Sequence, residues 1–339
     1  MSRYRFLTVK EVADILYRSD FNKVVNFTFD GKADITDEPT EWYGVKRTRL
    51  FDEQYGILTM GCYGGGSTSV EELKNDSKAC LENALMRILQ GEARKNVTEL
   101  CVDDACIPHP LRIGGFQKTT LLDYPGKVAA TVFVTGCNFR CPYCHNAELI
   151  NPKDVETIPE KDVLSFLEQR KNVLEGVCIT GGEPTLQEKS LKSFITALKG
   201  MGYSVKLDTN GTNPDFLESL IEERLVDYVA MDIKSGLMRY KKATGGVWFH
   251  GVEASASILR EGNVPYEFRT TVVKGIHVKD DFEEIRYLVH DCTDYYIQNY
   301  KPSENILNPQ NLSPFSEEEL QEFADIIKPY VQNVHLRGV

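Results

Sequence analysis

From residue 111 onward, short apolar runs alternate with stretches in which apolar residues recur at helical spacing. Short and almost continuously apolar runs are typical of parallel strands that helices cover. The predicted strands occupy residues 129–136, 176–180, 203–209, 226–233, 266–273 and 294–300. This order predicts an α/β fold, a partial (β/α)6 barrel whose chemistry collects at the carboxyl ends of the strands.

The chain changes character just before this pattern begins. Residues that interrupt regular structure indicate a linker there, namely Pro108, Pro110, Gly114 and Gly115. Before the linker, alternating runs at residues 23–29 and 55–62 predict strands, and a helical pattern follows Ser69. We therefore expect an extra N-terminal α+β domain over residues 1–108 and the barrel domain over residues 109–339.

Composition excludes several classes of protein. The 339 residues carry a net charge of −11, and 42% of them are hydrophobic, close to the globular average. The acidic balance repels phosphate backbones, so we expect no nucleic-acid partner. Because no apolar run is long enough to span a bilayer, we expect no membrane association and a cytoplasmic location. In that reducing compartment the nine cysteines are not expected to form structural disulfides.

Three cysteines follow the first predicted strand, in the sequence GCNFRCPYCHN. Cys137, Cys141 and Cys144 have the spacing Cys-x3-Cys-x2-Cys, and thiols this dense on a loop predict a metal site. Structural zinc needs a fourth ligand, and His145 is poorly placed to supply it directly after Cys144. A [4Fe–4S] cluster with one open iron fits three cysteines better, and zinc stays the alternative.

Polar residues also follow the next three predicted strands. They are Gly181, Gly182 and Glu183 after the second, Asp208 and Asn210 after the third, and Asp232 and Lys234 after the fourth. Each group alone is typical of a turn, a helix cap or an exposed ion pair. Polar clusters at consecutive strand ends instead indicate one shared site, in which the glycines would let a ligand approach the backbone.

The cysteine motif, with Tyr143 before its last cysteine, and the GGEP sequence beginning at Gly181 resemble the radical S-adenosylmethionine enzymes. Residues 114–150, with the sequences DTNG, DIK and VHLRG, are similar to glycyl-radical activating enzymes, and among them to those of anaerobic ribonucleoside-triphosphate reductases. The resemblance covers residues 111–339 and leaves the N-terminal domain unmatched. It implies an enzyme that reductively cleaves S-adenosylmethionine and abstracts hydrogen from a glycine of a partner, which then carries a glycyl radical.

The resemblance also implies a role for each site residue. Cys137, Cys141 and Cys144 would hold three irons of a [4Fe–4S] cluster, and the fourth iron would chelate S-adenosylmethionine. The residues implied to bind this cofactor are Tyr143 at the adenine, Gly181, Gly182 and Glu183 at the amino group, Lys234 at the carboxylate, and Asp208, Asn210 and Asp232 close by. Asp208 and Asp232, with Thr209 and Met231, resemble a monovalent-cation site.

The implied partners are a glycyl-radical enzyme, first of all an anaerobic ribonucleotide reductase, and a flavodoxin- or ferredoxin-like electron donor. The alternative is a radical S-adenosylmethionine enzyme that modifies its own peptide or small molecule, bound with the help of the N-terminal domain. A candidate of another class is a non-catalytic adaptor that holds zinc with the same cysteines.

Other residues carry weaker signals. Arg269 and Gln298, on the fifth and sixth predicted strands, are candidates for the barrel mouth, and His145 is a candidate donor beside the cluster. Cys178 lies in an apolar strand and is expected to be a core residue. The glycine-rich residues 62–69 lack the lysine of a P-loop. No familiar metal pattern matches the spacing of Cys62, Cys80, Cys101 and Cys106.

Overall fold

The structure is a computed structural model in which the chain divides into two compact units, Met1–Pro108 and His109–Val339. It describes residues 110–153, 155–245 and 251–338, together with the backbone of short strands between residues 4 and 103. The helix predicted after Ser69, the loop of residues 62–67, and Cys62, Cys80 and Cys106 lie outside the described residues, and only the backbone of Cys101 is described.

The first unit is described by antiparallel strand pairs. β1 pairs with β9, β2 lies between β3 and β6, β4 pairs with β5, and β7 pairs with β8. The strands are β1 Tyr4–Thr8, β2 Val24–Phe27, β3 Ala33–Thr36, β4 Glu41–Trp42, β5 Val45–Lys46, β6 Thr48–Leu50, β7 Ile57–Leu58, β8 Thr68–Ser69 and β9 Glu99–Asp103. The strand predicted over residues 23–29 forms as β2, and that over residues 55–62 is shortened to β7.

The second unit is built on an eight-stranded sheet whose order follows the chain. Its strands are β10 Ile113–Thr120, β11 Ala129–Val134, β12 Gly176–Gly181, β13 Ser204–Thr209, β14 Tyr228–Asp232, β15 Tyr266–Val272, β16 Asp294–Asn299 and β17 Asn333–Arg337. β10 is antiparallel to β11, and all later neighbours are parallel. Among the described residues β10 and β17 are unpaired edges, so the sheet is open. The predicted α/β class and its six strands, β11 to β16, are confirmed.

Helices between the strands cover the sheet. They are α1 Glu160–Arg170, α2 Glu188–Gly200, α3 Pro214–Glu222, α4 Leu237–Ala243, α5 Val252–Glu261, α6 Lys279–Val289 and α7 Glu317–Ile327. In α2, Leu191, Phe194, Ile195 and Leu198 are completely buried, at the spacing of one helical face. Burial of each such side chain stabilises the fold by about 1.5–3 kcal/mol. The pattern predicts every helix here except α4, which has only seven residues.

Two edge strands depart from the sequence prediction. Gly114 and Gly115 lie inside β10, where a linker is predicted. A Cβ atom on Gly114 would lie 2.6 Å from a methyl group of Leu149, so this glycine marks close packing and not a break. β17 is short and half-exposed, which leaves no apolar signal to find it by. In the described part of the chain, no helix is long and apolar enough to cross a membrane.

Candidate functional site

A cavity of about 200 Å³ lies at the carboxyl ends of the parallel strands. The loops after β11, β12, β13 and β14 line it. Every residue predicted to bind the cluster or S-adenosylmethionine contributes to this lining, namely Cys137, Cys141, Tyr143, Cys144, Gly181, Gly182, Glu183, Asp208, Asn210, Asp232 and Lys234. The structure therefore brings these residues together, and their individual roles stay predictions.

The cysteine loop, residues 137–144, begins just after β11. Gly136 has a φ of +91°, a conformation that favours glycine, and its N–H donates to the carbonyl of Leu149 at 2.7 Å. At the far end of the loop, the N–H of Cys144 donates to the carbonyl of Cys141 at 3.0 Å. These backbone bonds fix the loop so that all three thiols line one cavity.

The thiols are free of disulfides and lie in an environment that disfavours their charge. Burial raises the pKa of Cys137 to about 12 and that of Cys141 to about 11. A metal centre that binds them must therefore displace their protons. Among the described residues, no three His, Cys, Asp or Glu side chains stand close enough to hold a single metal ion. In a [4Fe–4S] cluster each thiolate binds a different iron, and three soft sulfur donors on one cavity fit that group.

The two glycines after β12 are required by packing of the chain against itself. Gly181 has a φ of +118°, and a Cβ atom there would lie 2.4 Å from the backbone nitrogen of Val134. A Cβ atom on Gly182 would lie 2.1 Å from the carbonyl oxygen of Gly136. The N–H of Glu183 donates to the same carbonyl at 2.7 Å. The glycines thus join the end of β12 to the start of the cysteine loop.

Glu183 is a buried carboxylate whose partners all belong to the chain. Its Oε1 accepts from the N–H and hydroxyl of Thr185 at 3.1 and 2.7 Å and from the hydroxyl of Thr209 at 2.8 Å. Its Oε2 accepts from the N–H of Asn210 at 2.7 Å. Burial raises the pKa of Glu183 despite these bonds. In the structure its carboxylate joins the ends of β12 and β13, whereas the prediction assigns it to an amino group of the ligand.

Five charged side chains form a continuous series of ion pairs, here called the charge chain: Lys206, Asp208, Arg269, Asp232 and Lys234. Asp208 pairs through Oδ1 with Lys206 Nζ at 2.7 Å and through Oδ2 with Arg269 Nη1 at 3.0 Å. Asp232 pairs through Oδ1 with Arg269 Nε at 2.9 Å and through Oδ2 with Lys234 Nζ at 3.0 Å. Arg269 therefore bridges β13 and β14 from β15.

The charge chain keeps its members ionised although they are largely buried, with side-chain exposure from 3% for Lys206 to 26% for Asp232. Burial alone would raise the pKa of Asp232, but Arg269 and Lys234 hold it at about 2. Burial likewise opposes the charged form of Asp208, and Arg269 and Lys206 lower its pKa below the usual value. For Lys234, burial would lower the pKa, but Asp232 raises it. The ammonium at the cavity thus stays positive, as binding of a carboxylate requires.

The backbone of Lys234 is fixed by a buried histidine. His277 Nδ1 accepts from the N–H of Val273 at 3.1 Å, so Nε2 carries the proton and donates to the carbonyl of Lys234 at 2.8 Å. Burial lowers the pKa of His277, which favours this neutral form. The hydroxyl of Tyr143 reaches the same carbonyl at 3.4 Å. No sequence motif points to His277, because Lys234, whose carbonyl accepts its proton, lies 43 residues away on another loop.

The predicted monovalent-cation site does not fit the geometry. All four carboxylate oxygens of Asp208 and Asp232 are paired with nitrogen cations of the chain. The hydroxyl of Thr209 is bonded to Glu183. The Met231 side chain is completely buried beside Gly211, which has a φ of +73°. The cation prediction missed Lys206, although its position two residues before Asp208 places both side chains on one face of β13.

The structure also places the four residues whose sequence signals are weaker. Arg269 belongs to the charge chain, and Gln298 accepts from the hydroxyl of Thr271, a cavity residue, at 3.3 Å. His145 also lines the cavity. Cys178 is completely buried in β12, so the core prediction is confirmed.

Comparison with known proteins adds the family. Residues 131–288 match the Radical SAM superfamily. A protein of Methanocaldococcus jannaschii described as a glycyl-radical enzyme activating enzyme is 34% identical over an alignment of 235 residues, and the match covers 67% of this chain and 96% of that protein. The pyruvate formate-lyase 1-activating enzyme of Escherichia coli strain K12 is 29% identical over an alignment of 176 residues, and the match covers 50% of this chain and 71% of that enzyme.

A solved structure supports the fold. The crystal structure of Streptococcus suis SuiB bound to precursor peptide SuiA matches with a TM-score of 0.50 and 14% sequence identity. The match covers 83% of this chain and 58% of the SuiB chain. At this low identity the likeness shows a shared fold alone.

Proposed function

Because this chain belongs to the radical S-adenosylmethionine superfamily, we propose that it is the activating enzyme of a glycyl-radical enzyme. Its cofactors are a [4Fe–4S] cluster and S-adenosylmethionine. The activase assignment is supported by the 34% identical relative, which is described by that activity and is matched over 96% of its length. The zinc-adaptor alternative has no such support.

The partner we propose is an anaerobic ribonucleoside-triphosphate reductase, whose glycine would receive the radical. Support comes from residues 114–150 and from the DTNG, DIK and VHLRG sequences, which resemble the activating proteins of these reductases. We place the reaction in the cytoplasm, with a flavodoxin- or ferredoxin-like protein as the electron donor.

The observation that carries the proposal is the position of three free thiols on one cavity with an ion-paired lysine. Cys137, Cys141 and Cys144 would hold the cluster. When bound, the cluster and S-adenosylmethionine supply the electron and the carbon–sulfur bond whose cleavage leads to hydrogen abstraction from the partner's glycine. Lys234 would neutralise the carboxylate of S-adenosylmethionine. Asp232 keeps the Lys234 ammonium positively charged, because it raises the pKa of that group.

Other residues would orient the cofactor and exclude water. The backbone of Gly181 and Gly182 would face its amino group, and Tyr143 would lie near its adenine. Glu183 would act by holding the ends of β12 and β13 together, since its carboxylate oxygens already accept four hydrogen bonds. A cofactor held in this way is presented in one geometry, which turns an encounter into an intramolecular step.

The test is anaerobic reconstitution of the full chain with iron and sulfide. We expect about four irons per chain, and release of 5′-deoxyadenosine when S-adenosylmethionine and a reductant are added. With an anaerobic ribonucleotide reductase present, electron paramagnetic resonance should show a glycine-centred radical on the reductase. Cleavage without that signal, with a peptide or metabolite altered instead, would favour the alternative enzyme that modifies its own substrate.

A further inference from the structure

Lys206 is a buried lysine that no predicted role includes. It lies in β13 with 3% of its side chain exposed, and its Nζ is 2.7 Å from Asp208 Oδ1. The Sγ atom of Cys178 is 3.9 Å from the same Nζ. Lysine is almost never fully buried unless it is paired. Lys206 is thus a buried cation in direct contact with Asp208, a residue that lines the cavity.

The negative charge of Asp208 is neutralised from two sides. Its Oδ1 is 2.7 Å from Lys206 Nζ, and its Oδ2 is 3.0 Å from Arg269 Nη1. Arg269 is shared with Asp232 and with Glu267, and Glu267 has a second cation, Arg337, at 3.6 Å. Without Lys206, Asp208 Oδ1 would have no cation beside it in a largely buried place, which is costly.

Geometry also makes Lys206 a determinant of the cavity's shape. It fixes one oxygen of Asp208, whose other oxygen fixes Arg269, and Arg269 in turn holds Asp232 against Lys234. Burial alone would lower the pKa of Lys206, but Asp208 raises it above the usual value, so the ammonium stays charged. The positive charge is supplied by the chain and not from solution.

We propose that Lys206 is a built-in cation, which takes at Asp208 the place that a bound K⁺ or Na⁺ ion would otherwise occupy. Lys206 is then a positioning residue that acts on the cavity through Asp208 and Arg269. The site of this chain works without an alkali cation, and removal of the Lys206 charge creates a demand for one. The proposal concerns the charge chain and does not depend on which protein or molecule receives the radical.

The test uses the full-length, cluster-loaded chain in alkali-free buffer, with either KCl or tetramethylammonium chloride at about 100 mM, so that ionic strength is matched. The wild-type protein should have the same unfolding temperature and the same rate of S-adenosylmethionine cleavage in both salts. Lys206→Met, which keeps the volume and removes the charge, should lose activity in tetramethylammonium and regain it in KCl. We expect a rate difference of about tenfold and a rise in unfolding temperature of about 3 °C.

Lys199→Met is the matched control. Lys199 is also ion-paired, with Asp227 at 2.7 Å, but 29% of its side chain is exposed. This variant should respond equally to the two salts. The proposal is overturned if wild-type cleavage requires K⁺ or Na⁺, a result that does not depend on the folding of any variant. It is also overturned if folded Lys206→Met shows no preference for alkali salts, since Asp208 would then be protonated or tolerate its charge alone.

Discussion

The cysteine loop and three members of the charge chain, Asp208, Asp232 and Lys234, line the same cavity. Burial has opposite outcomes for the charges of the two groups. In the loop, burial raises the pKa of Cys137 and Cys141, so the thiols are neutral. In the charge chain, burial is overcome by neighbours of opposite charge, and the pKa of Asp232 falls to about 2. The side chains differ less in depth than in whether the chain supplies them with a charged partner.

This difference separates the groups that await a ligand from those that prepare its site. The buried thiols stay protonated although the Lys234 charge lowers their pKa in part, so they gain most from a metal centre, which can bind them as thiolates. Carboxylates whose four oxygens are all paired have little left to offer a ligand, but they hold Lys234 in a fixed position and charge state. Residues of the cysteine loop should therefore act by ligation, and residues of the charge chain by positioning.

The largest effect is expected for Cys141→Ala. Loss of one sulfur donor should lower the iron content from about four per chain to less than about one after reconstitution and abolish cleavage of S-adenosylmethionine. Cys292→Ala is the control, because Cys292 is a completely buried thiol outside the cavity lining. Iron analysis and the amount of 5′-deoxyadenosine check both variants. Full iron loading of the Cys141 variant would show that the loop does not ligate the cluster as we infer.

The next effect is on stability, for Arg269→Met. This change leaves Asp208 and Asp232 each with one unpaired oxygen in a buried place, which should cost about 3–5 kcal/mol in the free energy of unfolding. Lys328→Met removes an ion pair with Asp325 in which both side chains are more than half exposed, and should cost less than about 1 kcal/mol. Urea unfolding of both variants gives the comparison. Equal costs would mean that the charge chain is no more coupled than a surface pair.

The strands and the cysteine loop could be predicted because their signals are local. The apolar run of β12 and the spacing of three cysteines within eight residues need no knowledge of distant contacts. The position of the site at the strand ends follows from the fold class. These signals sufficed to collect the residues that line the cavity.

The roles within the cavity could not be predicted, because they depend on residues far apart in the sequence. In the sequence alone, Lys206 resembles a solvent-facing lysine. Its role depends on Arg269 in β15, which lies 61 residues beyond Asp208 and donates to the second carboxylate oxygen of Asp208. Two of the groups that donate to Glu183, the Thr209 hydroxyl and the Asn210 N–H, lie 26 and 27 residues away in the sequence. Gly182 is predicted to admit a ligand, whereas a backbone carbonyl of the cysteine loop occupies the space that its Cβ atom would need.

A smaller effect is expected from pH. The pKa of Asp232 in the folded chain is about 2, below its usual value of 3.8, so its carboxylate stabilises the fold at neutral pH. That contribution, about 2 kcal/mol, should be lost as pH falls from about 4 through about 2. Urea unfolding across this range should show the wild type approaching Asp232→Asn in stability. A stability difference that stays constant with pH would contradict the ionised state of Asp232.

The smallest effect is expected for Lys279→Ala. Lys279 pairs with Glu322 at 2.6 Å, but both side chains are more than half exposed. Water and salt screen this pair, and Lys279 is the first residue of α6, where the helix dipole disfavours a cation. The weak attraction to Glu322 and the unfavourable helix dipole oppose each other, so the free energy of unfolding should change by less than about 0.5 kcal/mol. Urea unfolding of this variant, of Glu322→Ala and of the double variant isolates the pair. A coupling energy of about 3 kcal/mol or more, as large as the cost expected for Arg269→Met, would show that charge alone, without burial, explains the charge chain.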